Sequence, residues 1–118
     1  MVIQKRTFSL FVLALVLAPL PVLAFGVDCA HSKERIEHLV CSSPSVLALD
    51  HELATLASQV SEETKGTNGD TGEPVDSFGK EQLGWEQHVR NGCKTPRCLG
   101  KAYRRRIGQI KRSWAAAL

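Results

Sequence analysis

The chain has 118 residues, a formal net charge of +3 and four cysteines. With residues 1 to 24 set aside as a targeting segment, 94 residues remain, enough for one small domain and too few for two. The low net charge hides a dipolar chain: residues 25 to 76 carry ten acidic and three basic side chains, residues 77 to 118 ten basic and two acidic.

Residues 1 to 24 place Lys5 and Arg6 before the apolar run "FSLFVLALVLAPLPVLA" and offer the small residues Val22 and Ala24 at a cleavage site. This is the pattern of a secretory signal peptide removed after Ala24. A retained membrane anchor fits less well, because Pro19 and Pro21 interrupt a run that falls short of the ~20 residues a span requires. A lipid anchor on Cys29 would call for small, uncharged residues before it, and Gly26, Val27 and Asp28 stand there. The expectation is therefore a single domain, residues 25 to 118, secreted or periplasmic, with no stable membrane insertion.

All four cysteines, Cys29, Cys41, Cys93 and Cys98, fall in the exported part. An even number in an oxidising compartment reads as two disulfides. Four cysteines allow three pairings; the spacing favours the local ones, Cys29 with Cys41 and Cys93 with Cys98. The stretch "RNGCKTPRCLGKAY" also raises a zinc site or a redox pair. Zinc wants four ligands, and His31, His38, His51 and His88 sit in no recognised spacing with the cysteines. A redox pair favours Cys-x-x-Cys after a strand, whereas the spacer here has four residues. A staple shaping a turn is the better reading, with no metal and no cofactor.

Helical signals follow in chain order. "ERIEHLVC" places Ile36, Leu39 and Val40 at helical spacing and predicts a short helix ending near Cys41. Ser43 can cap the next helix, with Pro44 at its first position. Val46, Leu49, Leu53, Leu56 and Val60 then recur in steps of three and four, which marks an apolar stripe running to about Val60. Asp50 and Glu52 are read as off that stripe and solvated. From Ser61 to Gly79 the period vanishes among glycines, and a flexible linker or long surface loop is expected at about 61–79. A third helix should start near Ser77, capped by its hydroxyl, and run through Trp85 and Val89 to about Asn91. Gly92 suits its C-cap, and Pro96 excludes continuous helix through the stapled turn. A fourth helix carries Leu99, Tyr103, Ile107, Ile110 and Trp114 on one face.

No strand alternation or hairpin signal is read in residues 25 to 118. The expected fold is all-α, a small disulfide-stapled bundle of about four helices with Leu49, Leu53, Ile107, Trp85 and Tyr103 in or near the core.

The frame Asp28-Cys29-Ala30, with Glu37, Cys41 twelve residues after Cys29, and "SPSVLALDHEL", resembles the start of the LprI-type lysozyme inhibitor family of bacterial secreted and lipoprotein domains. Gln82, Trp85, Arg90-Asn91, Cys93, Cys98-Leu99, Ala102-Tyr103, Arg106-Ile107 and Ile110 follow the same family's pattern, so the resemblance spans about 28 to 110. The chain departs from it at Glu34-Arg35, where the family usually starts its first helix with a Thr/Ser-Pro pair. It departs again near Ala57, where the family often has an aromatic. The resemblance implies an all-helical, disulfide-bonded envelope domain and a lysozyme as protein partner.

Two routes to such a partner follow from the residues. "CKTPRC" presents Lys94 and Arg97 inside a small covalent ring, suited to enter a lysozyme cleft and pair with its ionised carboxylate. Glu34, Glu37, Asp50 and Glu52 could instead steer association with a basic lysozyme and form a contact rim. The competing class is a module that holds an anionic envelope polymer through Arg104, Arg105, Arg106, Lys111 and Arg112. Nucleic acid is not expected for an exported domain. No Ser-His-Asp order, metal triad or phosphate loop stands out, so an enzyme is not expected.

Overall fold

The computed structural model describes residues 25–118 and Ala14. The expected signal segment, apart from Ala14, lies outside the described residues. Four α-helices are present: α1 (Arg35–Cys41), α2 (Pro44–Thr64), α3 (Ser77–His88) and α4 (Pro96–Ser113). Helix α2 is the axis of the molecule, packing along α4 and also touching α1 and α3. The two disulfides join Cys29 to Cys41 and Cys93 to Cys98, with Cα–Cα distances of 5.8 and 5.5 Å. The fold is thus the small stapled helical bundle expected from the helical periods, with the two local cysteine pairs.

Three of the four helices start where the sequence supplies a side-chain cap. The Ser43 hydroxyl accepts from the Val46 N–H and Pro44 opens α2, where a missing N–H is harmless. The Thr95 hydroxyl accepts from the Cys98 N–H, and Pro96 opens α4. Pro96 therefore begins a helix within the stapled segment. Helix α1 lacks a side-chain cap at Glu34; Glu37 compensates, accepting the Lys33 N–H at 3.1 Å.

Four expectations about caps and boundaries are corrected. Helix α2 continues one turn past Val60 to Thr64, because Ser61 is still buried against the core while the Thr64 hydroxyl bonds back to the Val60 carbonyl. Helix α3 is capped by Asp76, whose carboxylate accepts the Gly79 N–H at 2.8 Å, with Ser77 inside the helix. It ends at His88, and Arg90–Gly92 form a separate 3₁₀ turn. The supposed linker contains an antiparallel hairpin, β1 (Gly66–Thr67) with β2 (Pro74–Val75), in the register Gly66 to Val75 and Thr67 to Pro74. Its tip is shaped by Asn68, whose side-chain oxygen accepts from the Asp70 and Thr71 N–H groups. The hairpin residues are exposed, which is why no apolar alternation announced it.

The core is built from one face of each helix: Ile36 and Val40 of α1, Val46, Leu53, Ala57 and Val60 of α2, Phe78 of α3, and Leu99, Tyr103, Ile107 and Ile110 of α4. Leu49 and Leu56 are only partly buried, because the packed face of α2 is centred on Ala54 and Ala57. Trp85 lies edge-on to Tyr103 at 5.3 Å, and Phe78 meets both Phe25 and Trp114 edge-on. The segment from Phe25 crosses α2 at Gly26. There φ is +103°, and a Cβ would stand 2.9 Å from the Ala54 Cβ, so both backbone and space call for glycine.

Asp50, read as solvated, and Arg106, read as open to an anionic polymer, are both buried. Asp50 is 3% exposed: its carboxylate accepts the Tyr103 hydroxyl at 2.7 Å and the Val27 N–H at 2.8 Å. Arg106 is 2% exposed, with Nε on Gln82 at 2.8 Å, Nη1 on Glu81 and Gln109, and its guanidinium 5.8 Å from the Phe78 ring centre. Asp50 is therefore not part of a contact rim, and Arg106 is not available to an external polyanion. A charge survives such burial only with partners that replace water; Asp50 has them, and Arg106 has them at Nε and Nη1, while its Nη2 is buried without a hydrogen-bond partner.

Candidate functional site

The stapled corner joins the 3₁₀ turn to α4. The turn closes when the Cys93 N–H reaches the Arg90 carbonyl at 3.0 Å, and Thr95 and Pro96 then start α4. The disulfide ties Cys93, the residue that follows the turn, to the first turn of the helix; Cys93 is buried while Lys94 and Arg97 are exposed. Arg97 belongs to α4, so the segment is a helix start with a covalent brace.

Arg35 fastens this corner from α1. Its Nη1 donates to the Cys93 carbonyl and its Nη2 to the Asn91 carbonyl, each at 3.0 Å. Hydrogen bonds from a charged donor are worth about 1.5–3 kcal/mol each. No local pattern reveals this role, since the partners lie 56 and 58 residues away.

From Arg97 a row of cations continues along α4. Arg97, Lys101 and Arg105 recur every four residues, so they lie on one side of the helix. All three are exposed, and none has an ion-pair partner among the described residues; the same holds for Lys94, Arg104 and Arg112. A groove of about 490 Å³ runs beside this row, with Val89, the Cys93–Cys98 disulfide and Ala102 among its lining residues. Arg97 and Lys101 also border a smaller groove between α2 and α4 that reaches Leu49. The α4 N-terminus adds the positive end of a helix dipole to the corner.

The acidic candidates do not gather into an equivalent surface. Glu34 is exposed at the start of α1 and Glu37 is engaged in capping. Glu52 lies 3.5 Å from Lys111 on an exposed pair. Such a pair contributes little and is weakened by salt.

The spacing of charges did not suggest the polar cluster formed by Asp50, Tyr103, Glu86 and Arg90. Burial, reinforced by the charge and hydrogen bond of Asp50, pushes the Tyr103 hydroxyl far above the usual tyrosine range, so it stays a donor. Burial also raises the Glu86 carboxyl; Arg90, 3.9 Å away, opposes this and the negative Asp50 adds to it. The Asp50 carboxylate is enclosed, which makes this cluster a structural tie between α2 and α4.

The geometry defines a small disulfide-stapled helical domain with a braced, cationic edge. Comparison of the chain with protein-family models, with curated proteins and with solved structures finds no match. Function is accordingly argued from the edge itself.

Proposed function

We propose that the chain is an exported, non-catalytic binding protein of the lysozyme-inhibitor kind, which sets its stapled corner into a carboxylate-lined cleft of its partner. The observation that supports this reading is the pair Lys94 and Arg97, both exposed and without an ion-pair partner among the described residues, on a ring closed by Cys93–Cys98 and fastened to α1 by Arg35. A lysozyme cleft holds a protonated acid and an ionised carboxylate on either side of the sugar bond. A cation already held in place loses little entropy on docking there, and its charge excludes the substrate from the ionised partner. The two disulfides suit an oxidising compartment. Among the described residues no helix is long and apolar enough to cross a membrane.

Turbidity assays of the chain lacking residues 1 to 24 against several lysozymes test the reading. Inhibition by the parent and at least about tenfold weaker binding by Lys94→Ala/Arg97→Ala, with an unchanged far-ultraviolet spectrum, are expected. Absence of binding by the parent removes the proposal. Unchanged affinity in the double variant reduces the corner to a structural brace.

A second reading, an anionic envelope polymer held along α4, is favoured by the exposed, unpaired Arg104, Arg105 and Arg112. Salt separates the two. Polymer binding through exposed cations collapses as ionic strength rises, whereas an anchor desolvated in a cleft retains measurable affinity.

A further inference from the structure

The groove beside the corner combines an apolar floor, which the proposed lysozyme contact does not use, with a cationic rim that shares only Arg97 with that contact. Its floor is apolar: Val89, 46% exposed although hydrophobic, stands with the Cys93–Cys98 disulfide and the partly buried Ala102. Along its rim run Arg97, Lys101 and Arg105, and none of the three has a counter-charge among the described residues. Successive members of the row are separated by about 6 Å along the helix. One compact anion with several oxygens can therefore bridge two of them.

We propose that this groove binds a single-chain amphiphile, its phosphate head bridging Lys101 and Arg105 and its hydrocarbon tail on Val89, the Cys93–Cys98 disulfide and Ala102. A phosphate monoester carries close to two negative charges and three acceptor oxygens, which matches two adjacent uncompensated cations better than a single carboxylate does. The hydrocarbon tail covers the exposed valine and the disulfide, apolar surface that neither a free anion nor a sugar polymer would cover. The volume of about 490 Å³ lies within the range of small-molecule sites and admits one chain.

The test is a calorimetric titration of the chain lacking residues 1 to 24 with monomeric dodecyl phosphate, alongside inorganic phosphate and the neutral decyl maltoside. Amide shifts are followed in parallel. Dodecyl phosphate should bind at least about tenfold more tightly than either control and shift the amides of Val89, Cys98 and Ala102. Val89→Glu, which puts a carboxylate on the floor, and Arg105→Gln, which shortens the cationic row, should each weaken it by about tenfold or more. Both residues are exposed, so the thermal midpoint reports whether the fold is kept; if Val89→Glu unfolds, Arg105→Gln decides. Equal binding of inorganic phosphate would show that the floor contributes nothing. Equal binding of decyl maltoside would show the same of the cations. Either result, no binding of dodecyl phosphate, or parental affinity in a folded variant overturns the proposal. Neither variant alters Lys94 or Arg97, so this titration and the lysozyme assay fail separately.

Discussion

Asp50 and Arg106 show how a single charged residue can be misread from its neighbours. Both occupy the helical steps of the buried face: Val46, Asp50, Leu53 and Ala57 in α2, and Leu99, Tyr103, Arg106 and Ile110 in α4. The step of three or four was visible, but charge outweighed position. Because the Tyr103 hydroxyl satisfies a buried carboxylate, Tyr103→Phe should lower unfolding free energy by about 1.5–3 kcal/mol in urea denaturation, more than loss of a hydroxyl from the surface. Arg106→Ala should cost about 3 kcal/mol, since Gln82 is left buried without its donor, whereas Arg104→Ala on the exposed face should cost under about 0.5 kcal/mol.

Glu86 supplies a pH dependence at the same scale. Its folded-state pKa is raised, chiefly by burial, so the folded chain holds this proton more tightly than the unfolded chain. That contribution to stability is complete below the ordinary glutamate range, near about pH 4.3, and is lost as pH rises through the folded value. Glu86→Gln should therefore raise the thermal midpoint at pH 7, and the gain should vanish toward pH 4. A variant that is less stable than the parent at pH 7 would mean that the Arg90 pair outweighs the burial.

At the scale of elements, each disulfide closes a local loop and neither links the two halves of the chain. The hairpin between α2 and α3 is exposed along its length. Limited proteolysis should cut first at about residues 68–72, leaving fragments that co-elute under native conditions and separate in denaturant without reduction. A fragment pair still joined in non-reducing denaturant would refute the pairing. In the chain-entropy account, Cys29→Ser/Cys41→Ser should cost about 3 kcal/mol and Cys93→Ser/Cys98→Ser about 2 kcal/mol. Arg35→Ala should loosen the corner specifically, seen as faster amide exchange at Cys93 and its neighbours with α2 still protected. The helices and staples were legible because caps, prolines and cysteine spacing act over a few residues. The hairpin was not, because an exposed two-residue strand buries nothing and leaves no apolar period.

Across the whole molecule the charge asymmetry becomes a surface. Residues 77 to 118 supply the unpaired row on α4, while several acids of residues 25 to 76 are spent on caps, on the buried tie to Tyr103 and on the pair with Lys111. The working edge is therefore cationic. The sequence by itself determined the number of the helices and their approximate placement, and it favoured the local cysteine pairs, because these depend on neighbours along the chain. Tertiary structure alone decided that Asp50 and Arg106 lie inside, that Arg35 braces the corner, and that Val89 and the disulfide meet the α4 cations in one groove. Those outcomes depend on partners brought together from far along the chain, as far as 58 residues for Arg35, because burying a charge or opening a groove requires a second element to supply the other wall.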